Sequence, residues 1–383
     1  MTETEYAILQ PKHSGQRRLL ALDGGGIRGL IALGILEKLE SDLRAASGGG
    51  TNFRLSDYFD FIGGTSTGAI LASGLAIGKS AAELIDFYRT CGAEMFEPNA
   101  LIKRAWAKFK SDPLEARLKN VFGDSTDLGS NMVKTLLLVV MRNITTDSPW
   151  PVTNNPHAKY NARDRDDCNL QLPLWQLVRA STAAPTFFPP EVVTIGPREF
   201  VFVDGGVTPY NVPAFVMYRT AVSPPYKLEW ERGERKMLII SIGTGAIPRL
   251  GRTAQNPSRS IVEVAVDISG ELMNGMAYDQ DINCRTVGRC VFGAPLDREV
   301  GNLVPDVPLA QDLGRDFLYA RYDPELTREG LDDLGLAEID AARVAKLDSV
   351  AAIDDLLLVG RRYAEKYLKT QSHFGPFFPA DRG

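Results

Sequence analysis

Short apolar runs alternate along the first two thirds of this chain with stretches in which apolar residues recur at helical spacing. The runs have the length of buried strands, and the sequence predicts strands over Arg18–Leu22, Leu55–Ile62, Val133–Met141, Phe200–Val203 and Lys236–Ile242. The helical spacing predicts helices over Leu30–Leu39, Ala69–Ala76, Ala81–Thr90 and Leu174–Ala184. Because strands alternate with helices, the pattern predicts an α/β fold with a largely parallel sheet.

The pattern changes in two places. Residues Asn143–Asn169 are rich in Pro, Asn and Asp and predict a surface loop. From about Ser260 the pattern becomes mainly helical, for example over Ile339–Tyr367. We therefore expect an N-terminal segment (1–17), an α/β domain (18–245) and a mainly helical C-terminal region (246–383) that packs on it.

Composition and charge narrow the class of protein. The 383 residues are 44% hydrophobic and 24% charged, as in an ordinary globular protein, and the net charge of -5 argues against a nucleic-acid polymer as partner. Residues Met1–Gln10 lack the apolar core of a secretory signal, and the apolar runs are too short to cross a bilayer. A cytoplasmic protein is expected.

The cysteines and histidines predict no metal site. Cys91, Cys168, Cys284 and Cys290 lack C-x-x-C spacing, and the chain has only three histidines. The sequence therefore requires neither a disulfide nor a metal.

Gly64-Thr65-Ser66-Thr67-Gly68 fits G-x-S-x-G and lies between a predicted strand and a predicted helix. In that context a serine can occupy a strained turn and act as a nucleophile. Gly64 and Gly68 would leave room for close backbone approach. The alternative is a tight turn in which Ser66 only caps the helix.

A glycine-rich segment, Asp23-Gly24-Gly25-Gly26-Ile27-Arg28-Gly29, also follows a strand and precedes a helix. It satisfies G-x-G-x-x-G, the dinucleotide-binding pattern, but the acids at the expected distance fall inside the predicted helix. We favour an oxyanion hole, in which the N–H groups of Gly24 to Gly26 stabilise a negative oxygen during acyl transfer. Arg28 would bind a phosphate head group or pair with a surface acid.

A serine nucleophile needs a base, and Asp204-Gly205-Gly206 supplies a candidate. Asp204 follows a predicted strand, and the two glycines would let the chain turn sharply towards another loop. An aspartate within about 2.6–3.2 Å of Ser66 could accept its proton directly. None of His13, His157 and His373 follows a clear strand end.

These three segments together resemble the patatin-like phospholipase family in motif, order and spacing. Arg179–Pro185 followed by Phe187–Pro189 also resembles the segment that precedes the family's last motif. The resemblance covers roughly residues 18–245. Asp204-Gly205-Gly206 has glycine where many members have alanine, which leaves the chemistry intact.

The resemblance implies a three-layer α/β/α catalytic domain that needs no cofactor and cleaves membrane phospholipid. Ser66 would attack the ester carbonyl, Asp204 would act as base, and a covalent acyl-Ser66 would be hydrolysed by water. Gly24, Gly25 and Gly26 would hold the oxyanion. The supporting positions would be Asp23, Arg28, Gly29, Gly64, Gly68, Gly205 and Gly206.

The part of the chain after Gly245 carries no family motif. Some bacterial patatin-like enzymes of similar length are antiphage effectors that degrade membrane when a cyclic nucleotide binds. The resemblance therefore leaves a cyclic-nucleotide activator open, although no residue identifies a nucleotide pocket. Oligomerisation stays open too.

Residues 101–110 form a basic amphipathic segment, with Leu101, Ile102, Ala105, Trp106 and Phe109 interleaved with Lys103, Arg104, Lys108 and Lys110. Such a segment could lie on an anionic bilayer when the enzyme is active. The alternative is a helix that covers the core with its lysines in solvent.

Two further functions stay open. An ordinary α/β-hydrolase would use Ser66, an acid and His373. A non-catalytic nucleotide sensor on the same scaffold would leave Ser66 unreactive.

Overall fold

A computed structural model describes residues 2–13, 15–95, 112–185, 187–247, 261–297 and 299–379. The strands are β1 (Arg17–Leu22), β2 (Phe61–Thr65), β3 (Leu136–Asn143), β4 (Ser148–Thr153), β5 (Glu191–Ile195), β6 (Arg198–Asp204), β7 (Met237–Ile242), β8 (Arg289–Phe292) and β9 (Leu318–Tyr322). The helices are α1 (Glu3–Leu9), α2 (Gly29–Ala46), α3 (Leu55–Tyr58), α4 (Thr67–Ala76), α5 (Ala81–Met95), α6 (Asp112–Phe122), α7 (Leu174–Ser181), α8 (Ala214–Val222), α9 (Ile261–Val287), α10 (Arg328–Asp333), α11 (Ala341–Val344), α12 (Ile353–Tyr367) and α13 (Thr370–Phe374).

All of these strands belong to one mostly parallel sheet, as the alternation of strands and helices predicted. Six of them run parallel in the order β3-β2-β1-β7-β9-β8. The antiparallel strand β4 borders β3, and the β5–β6 hairpin joins the end of β3 through β6.

Helices cover both faces of the sheet and give the expected three layers. Alternate residues of β1 face opposite sides: Leu20 and Leu22 belong to the core under α2, α4, α5 and α12, whereas Leu19 and Ala21 belong to the core under α8. The strands are buried on both faces, so they appear in the sequence as continuous apolar runs.

One predicted strand is wrong in its first half. Residues Leu55–Tyr58 form the short helix α3, and the strand β2 begins only at Phe61. The carboxylate of Asp57 accepts the N–H of Arg54 at 2.8 Å and closes the helical turn. Because the apolar residues of α3 are buried as those of a strand would be, composition alone could not separate the two.

The predicted loop over Asn143–Asn169 contains a strand, β4, which the sequence analysis missed. Pro149 and Pro151 lie within it and lack the N–H that a central strand needs. In the structure β4 pairs only with β3 and lies at the sheet edge, where proline is tolerated.

The C-terminal region is mainly helical in its described parts, but it also contributes β8 and β9 to the sheet. Both strands contain a buried arginine, Arg289 or Arg321, that pairs with an acid and interrupts the apolar run. The predicted helix over Ile339–Tyr367 is two helices, α11 and α12. The boundary at residue 245 stays a prediction.

The basic amphipathic segment over 101–110 lies outside the described residues. Within the described ranges, no helix is both long and apolar enough to cross a membrane.

Helices α2 and α12 pack at close range through two glycines. A Cβ atom on Gly34 would lie 2.7 Å from the backbone nitrogen of Arg361, and one on Gly360 would overlap the carbonyl oxygen of Ile31. The absence of both side chains lets the helix from the C-terminal region lie directly on the helix that follows the glycine-rich segment.

We expect Gly360→Ala to lower the free energy of unfolding by about 1–3 kcal/mol, because its Cβ forces the helices apart. Thermal and denaturant unfolding measure this loss. Gly275→Ala in α9 is the control, since no atom of a described residue lies within 4 Å of the added Cβ. It should leave stability unchanged or slightly higher. Equal stabilities for the two variants would contradict the packing argument.

Candidate active site

The candidate residues lie together at the carboxyl ends of the parallel strands. Asp23 follows β1, Ser66 follows β2, Thr244 follows β7 and Asp323 follows β9. All four line a cavity of about 1770 Å³. Open α/β sheets commonly bind ligands at this edge.

Ser66 occupies a sharp turn between β2 and α4, with φ 55° and ψ -123°. This positive φ is uncommon for a residue with a side chain and is typical of functional turns. Gly64 and Gly68 permit the turn, because a Cβ on Gly64 would overlap the Gly68 carbonyl and a Cβ on Gly68 would overlap that of Leu22. The Ser66 side chain makes no capping hydrogen bond to α4, which disfavours the simple helix-cap interpretation.

Strand β3 brings Ser66 and Asp204 together. Its parallel neighbour β2 ends with Thr65 paired to Val140, and its antiparallel neighbour β6 ends with Asp204 paired to Met141. The two strands arrive from opposite directions and finish at adjacent positions of β3. Gly205 then lies against the Val140 carbonyl, where a Cβ would not fit.

The Ser66 Oγ donates a hydrogen bond to Asp204 Oδ2 at 2.6 Å, and the N–H of Gly206 donates to Asp204 Oδ1 at 2.6 Å. Burial raises the pKa of Asp204 to about 6, although both hydrogen bonds and the charge of Arg179 oppose the rise. At neutral pH this carboxylate is therefore mostly ionised and is a stronger proton acceptor than an exposed aspartate.

Ser181 and Arg179 support this pair, although no motif in the sequence assigned a role to either residue. Ser181 Oγ accepts the N–H of Ser66 at 2.9 Å and donates to the Val140 carbonyl at 2.6 Å. Arg179 is fully buried and donates to the Pro189 carbonyl at 3.0 Å. The only signal for them was their position in the segment Arg179–Pro185.

The glycine-rich loop is held by its neighbours on both sides. The N–H of Gly24 donates to the Asn211 carbonyl at 3.2 Å, and Thr244 Oγ1 donates to the Gly24 carbonyl at 2.9 Å. Since a trans peptide points its N–H opposite to its carbonyl, the N–H of Gly25 points away from Thr244. Among the described residues, the N–H groups of Gly25 and Gly26 have no acceptor. Gly24 is thus the least available of the three expected oxyanion donors.

Arg28 does not pair with a surface acid of the described ranges. Its Nη1 donates to the Gly245 carbonyl at 3.3 Å, and its Nε is buried without a partner among the described residues. Burial lowers the pKa of Arg28 to about 10, and the nearby Asp323 opposes this shift. The guanidinium stays charged at neutral pH and lines the cavity. Gly29 begins α2 against Thr67, where a Cβ would not fit.

His373 lies elsewhere. Its Nδ1 hydrogen-bonds with the hydroxyl of Tyr322 at 2.8 Å, and its ring stacks on Phe292 at 4.8 Å. Burial lowers the pKa of His373 to about 4. The partner of the Ser66 hydroxyl is Asp204, which disfavours the α/β-hydrolase alternative. In the part of the chain that the structure describes, no cluster of His, Cys, Asp and Glu could hold a metal.

The cavity combines apolar and charged walls. Its apolar lining includes side chains of α4, α6 and the segment after α7, namely Ile70, Leu114, Phe187 and Phe188. Elsewhere its lining contains aromatic and charged side chains, namely Tyr278, Phe292, Tyr363, Tyr367, Arg285 and Arg321. The apolar side chains could contact an acyl chain, and the charged side chains could bind a charged head group.

Known proteins share the segment that carries the site. Residues 20–218 match the family model described as patatin-like phospholipase. The chain is 29% identical over 252 residues to Patatin-T5 of Solanum tuberosum, covering 61% of this chain and 62% of that protein. It is 33% identical over 215 residues to the cGAMP-activated phospholipase of Vibrio cholerae, covering 52% of this chain and 56% of that one.

The chain thus spans somewhat less than two thirds of the length of these curated relatives. The crystal structure of VipD from Legionella pneumophila aligns over 91% of this chain and 67% of that chain, at 14% identity and a TM-score of 0.32. That likeness is too distant to bear on the fold or the site.

The raised pKa of Asp204 predicts how the reactivity of Ser66 depends on pH. Only the ionised carboxylate can accept the Ser66 proton, so labelling by a fluorophosphonate should rise with pH and reach half its maximum near pH 6. At pH 5 the rate should be about one tenth of the plateau, since one pH unit below a pKa leaves about a tenth of the group ionised. Stopped labelling reactions followed by mass spectrometry measure the rate.

Asp204→Asn is the control, because it keeps the side-chain shape and cannot ionise. It should label slowly at every pH without a transition near pH 6. A wild-type rate that does not change between pH 5 and pH 8 would contradict the role of Asp204 as base.

Proposed function

The chain belongs to the patatin-like phospholipase family, and we propose that it is a lipid acyl hydrolase of the phospholipase A type. The observation that carries the proposal is the hydrogen bond from Ser66 Oγ to the buried carboxylate of Asp204 at 2.6 Å, on the wall of a large cavity. Because the matched relatives are longer than the shared segment, their whole activity does not transfer automatically to this chain.

In the first half-reaction, Ser66 Oγ attacks the acyl carbonyl carbon and Asp204 Oδ2 takes the hydroxyl proton. The carbonyl oxygen becomes negative and is stabilised by the N–H groups of Gly25 and Gly26, with the N-terminus of α4 adding a favourable dipole. The tetrahedral intermediate collapses, and the proton on Asp204 goes to the leaving alkoxide. A lysophospholipid departs and acyl-Ser66 remains.

In the second half-reaction, water takes the place of the leaving alcohol. Asp204 accepts a proton from that water, which attacks the acyl carbonyl in the same oxyanion site. Collapse of the intermediate breaks the bond to Ser66 Oγ, which recovers its proton from Asp204. The products are a fatty acid and the free enzyme, so neither a metal nor a cofactor enters the cycle.

The cavity supports a lipid as the substrate. Its volume of about 1770 Å³ exceeds the roughly 300–1,000 Å³ typical of small-molecule sites. The apolar residues of its lining suit an acyl chain, and the charged guanidinium of Arg28 suits a phosphate head group. An ester with a long chain and a charged head group matches both features.

We extend the proposal to activation by a ligand. The Vibrio cholerae relative is a cGAMP-activated phospholipase, which makes a cyclic nucleotide the first candidate activator to test and antiviral defence a candidate setting. Oligomerisation on activation is part of the same proposal. A non-catalytic nucleotide sensor remains the alternative from another functional class.

We also propose a cytoplasmic enzyme that associates with the membrane surface when active. A phospholipid substrate lies in a bilayer, and the basic amphipathic segment over 101–110 has the composition to contact an anionic one. Reversing the charges of Lys103, Arg104, Lys108 and Lys110 should abolish sedimentation with anionic vesicles. Undiminished sedimentation would contradict this role of the segment.

Lipid-product mass spectrometry tests the activity itself. Wild-type protein incubated with mixed phospholipid vesicles, with and without a panel of cyclic nucleotides, should release fatty acid and lysophospholipid. Ser66→Ala and Asp204→Asn should each lower release by at least about a thousandfold, because the nucleophile and the base act as a unit.

His373→Ala is the matched control and should keep most of the wild-type rate, since His373 bonds with Tyr322 and not with Ser66. Turnover that survives in Ser66→Ala would contradict the proposal. Loss of turnover in a folded His373→Ala would favour the α/β-hydrolase alternative. No turnover and no Ser66 labelling in the wild type, under any nucleotide, would favour the sensor.

A further inference from the structure

Six charged side chains are grouped beneath the glycine-rich loop, and they come from three separate parts of the chain. Asp23 and Arg28 belong to the loop, Asp281 and Arg285 to α9, and Arg321 and Asp323 to the end of β9 and just beyond it. All six line the cavity that contains Ser66. Three guanidinium groups balance three carboxylates.

Arg321 is the centre of this cluster. Its Nη2 donates to Asp23 Oδ2 at 2.7 Å and to Asp323 Oδ2 at 2.8 Å, and its Nη1 donates to Ser241 Oγ at 2.8 Å. Its Nε lies 3.6 Å from Asp281 Oδ2. The side chain is only 7% exposed, so solvent screens these contacts little.

Asp23 depends on Arg321 for its charge compensation. Its carboxylate is 5% exposed, and its Oδ1 has no hydrogen-bond partner among the described residues. Burial raises the pKa of Asp23 to about 7, and the charge of Arg321 is the largest influence that opposes the rise. Without Arg321 this buried carboxylate would lack its main counter-ion.

The backbone of Asp23 leads directly into the oxyanion loop. The N–H of Asp23 donates to the Ile242 carbonyl at 3.1 Å, and the next residue is Gly24. Asp323 holds the facing segment, since its Oδ1 accepts the N–H of Gly245 at 2.8 Å, next to the Thr244 that bonds to Gly24. Arg321 therefore fixes both strand ends that shape the loop.

We propose that Arg321 is a positioning residue for the oxyanion loop, because its ion pairs with Asp23 and Asp323 hold the two strand ends that shape the loop. This inference rests on the proposed function. Without Arg321, burial would drive Asp23 to take up a proton, and both ion pairs that hold the loop would be lost. The stabilisation of the oxyanion would weaken, whereas ground-state binding of a neutral ester would change little.

The proposal gives the C-terminal region a role in catalysis. Arg321 and its neighbours Asp281 and Arg285 lie outside the segment 20–218 that matches the family model. Arg285 Nη2 donates to Asp281 Oδ2 at 2.7 Å, and its Nη1 donates to the carbonyls of Ala294 and Asn302. Strand β9 thereby supplies the guanidinium that pairs with Asp23 of the glycine-rich loop.

Steady-state hydrolysis of a soluble chromogenic ester tests the proposal. Arg321→Gln should lower kcat about tenfold to a hundredfold, while KM changes less than threefold, because the lost stabilisation is specific to the transition state. Arg321→Lys keeps a positive charge that can still pair with Asp23 and should have a kcat at least about fivefold higher than that of Arg321→Gln. Arg361→Gln, which breaks only the Arg361–Glu37 pair on the surface, is the control and should match the wild type.

Thermal unfolding by circular dichroism accompanies each assay. If Arg321→Gln is unfolded at the assay temperature, Arg321→Met decides by the same criterion, because methionine also removes the charge. A folded Arg321→Gln or Arg321→Met with wild-type kcat, or an Arg321→Lys variant no more active than these, would overturn the proposal. Absence of ester turnover in the wild type would instead contradict the proposed function.

Discussion

The pairing of β3 with two strands that arrive from opposite directions is the constraint on which the candidate site depends. Strand β2 reaches Val140 and β6 reaches Met141, so Ser66 and Asp204 leave their strands at neighbouring positions. Backbone ladder bonds therefore set the 2.6 Å contact between the two side chains, and no flexible loop has to find it. The strained conformation of Ser66 persists because Ser181 and the elbow glycines hold the surrounding backbone.

Burial makes Asp204 a stronger base, and it also makes a second carboxylate nearby, that of Asp23, costly to keep charged. Removing Asp204 from water makes it a better base, as its pKa of about 6 indicates. The same low-dielectric surroundings penalise Asp23, which lies under the loop where the oxyanion would form. Arg321, which lies 298 residues away in sequence, pairs with Asp23 and offsets this penalty. A region without a family motif would then complete a site whose motifs all lie elsewhere.

Local patterns in the sequence were sufficient to predict several elements of the fold. Strand β1, the turn at Ser66 and the helices α2 and α4 could be predicted because their glycines and apolar residues lie within a few positions of one another. The position of Asp204 after a strand made it a candidate base for Ser66, and the resemblance to the family favoured that pairing over a plain turn. Strands β4, β5, β8 and β9 were missed. Pro149 and Pro151 lie within β4, Arg289 begins β8 and Arg321 lies within β9, so these three strands lack a continuous apolar run.

The supporting residues of the site could not be found from sequence for a related reason. Ser181, Thr244 and Arg321 form hydrogen bonds with residues 115, 220 and 298 positions away in sequence. Serine, threonine and arginine are common residue types, and their roles appear only when the sheet brings the strand ends together. Contacts between residues this far apart in sequence can be identified only when the fold is known.

The most direct test of the central claim is detection of the acyl intermediate on Ser66. Protein mixed with a phospholipid that carries an isotopically labelled acyl chain, then quenched in acid and digested, should yield the Ser66 peptide with the mass of that chain. Ser66→Ala should yield no acylated peptide. An acyl group found on another residue, or hydrolysis with no acylated peptide in a quench fast enough to capture one turnover, would contradict the account.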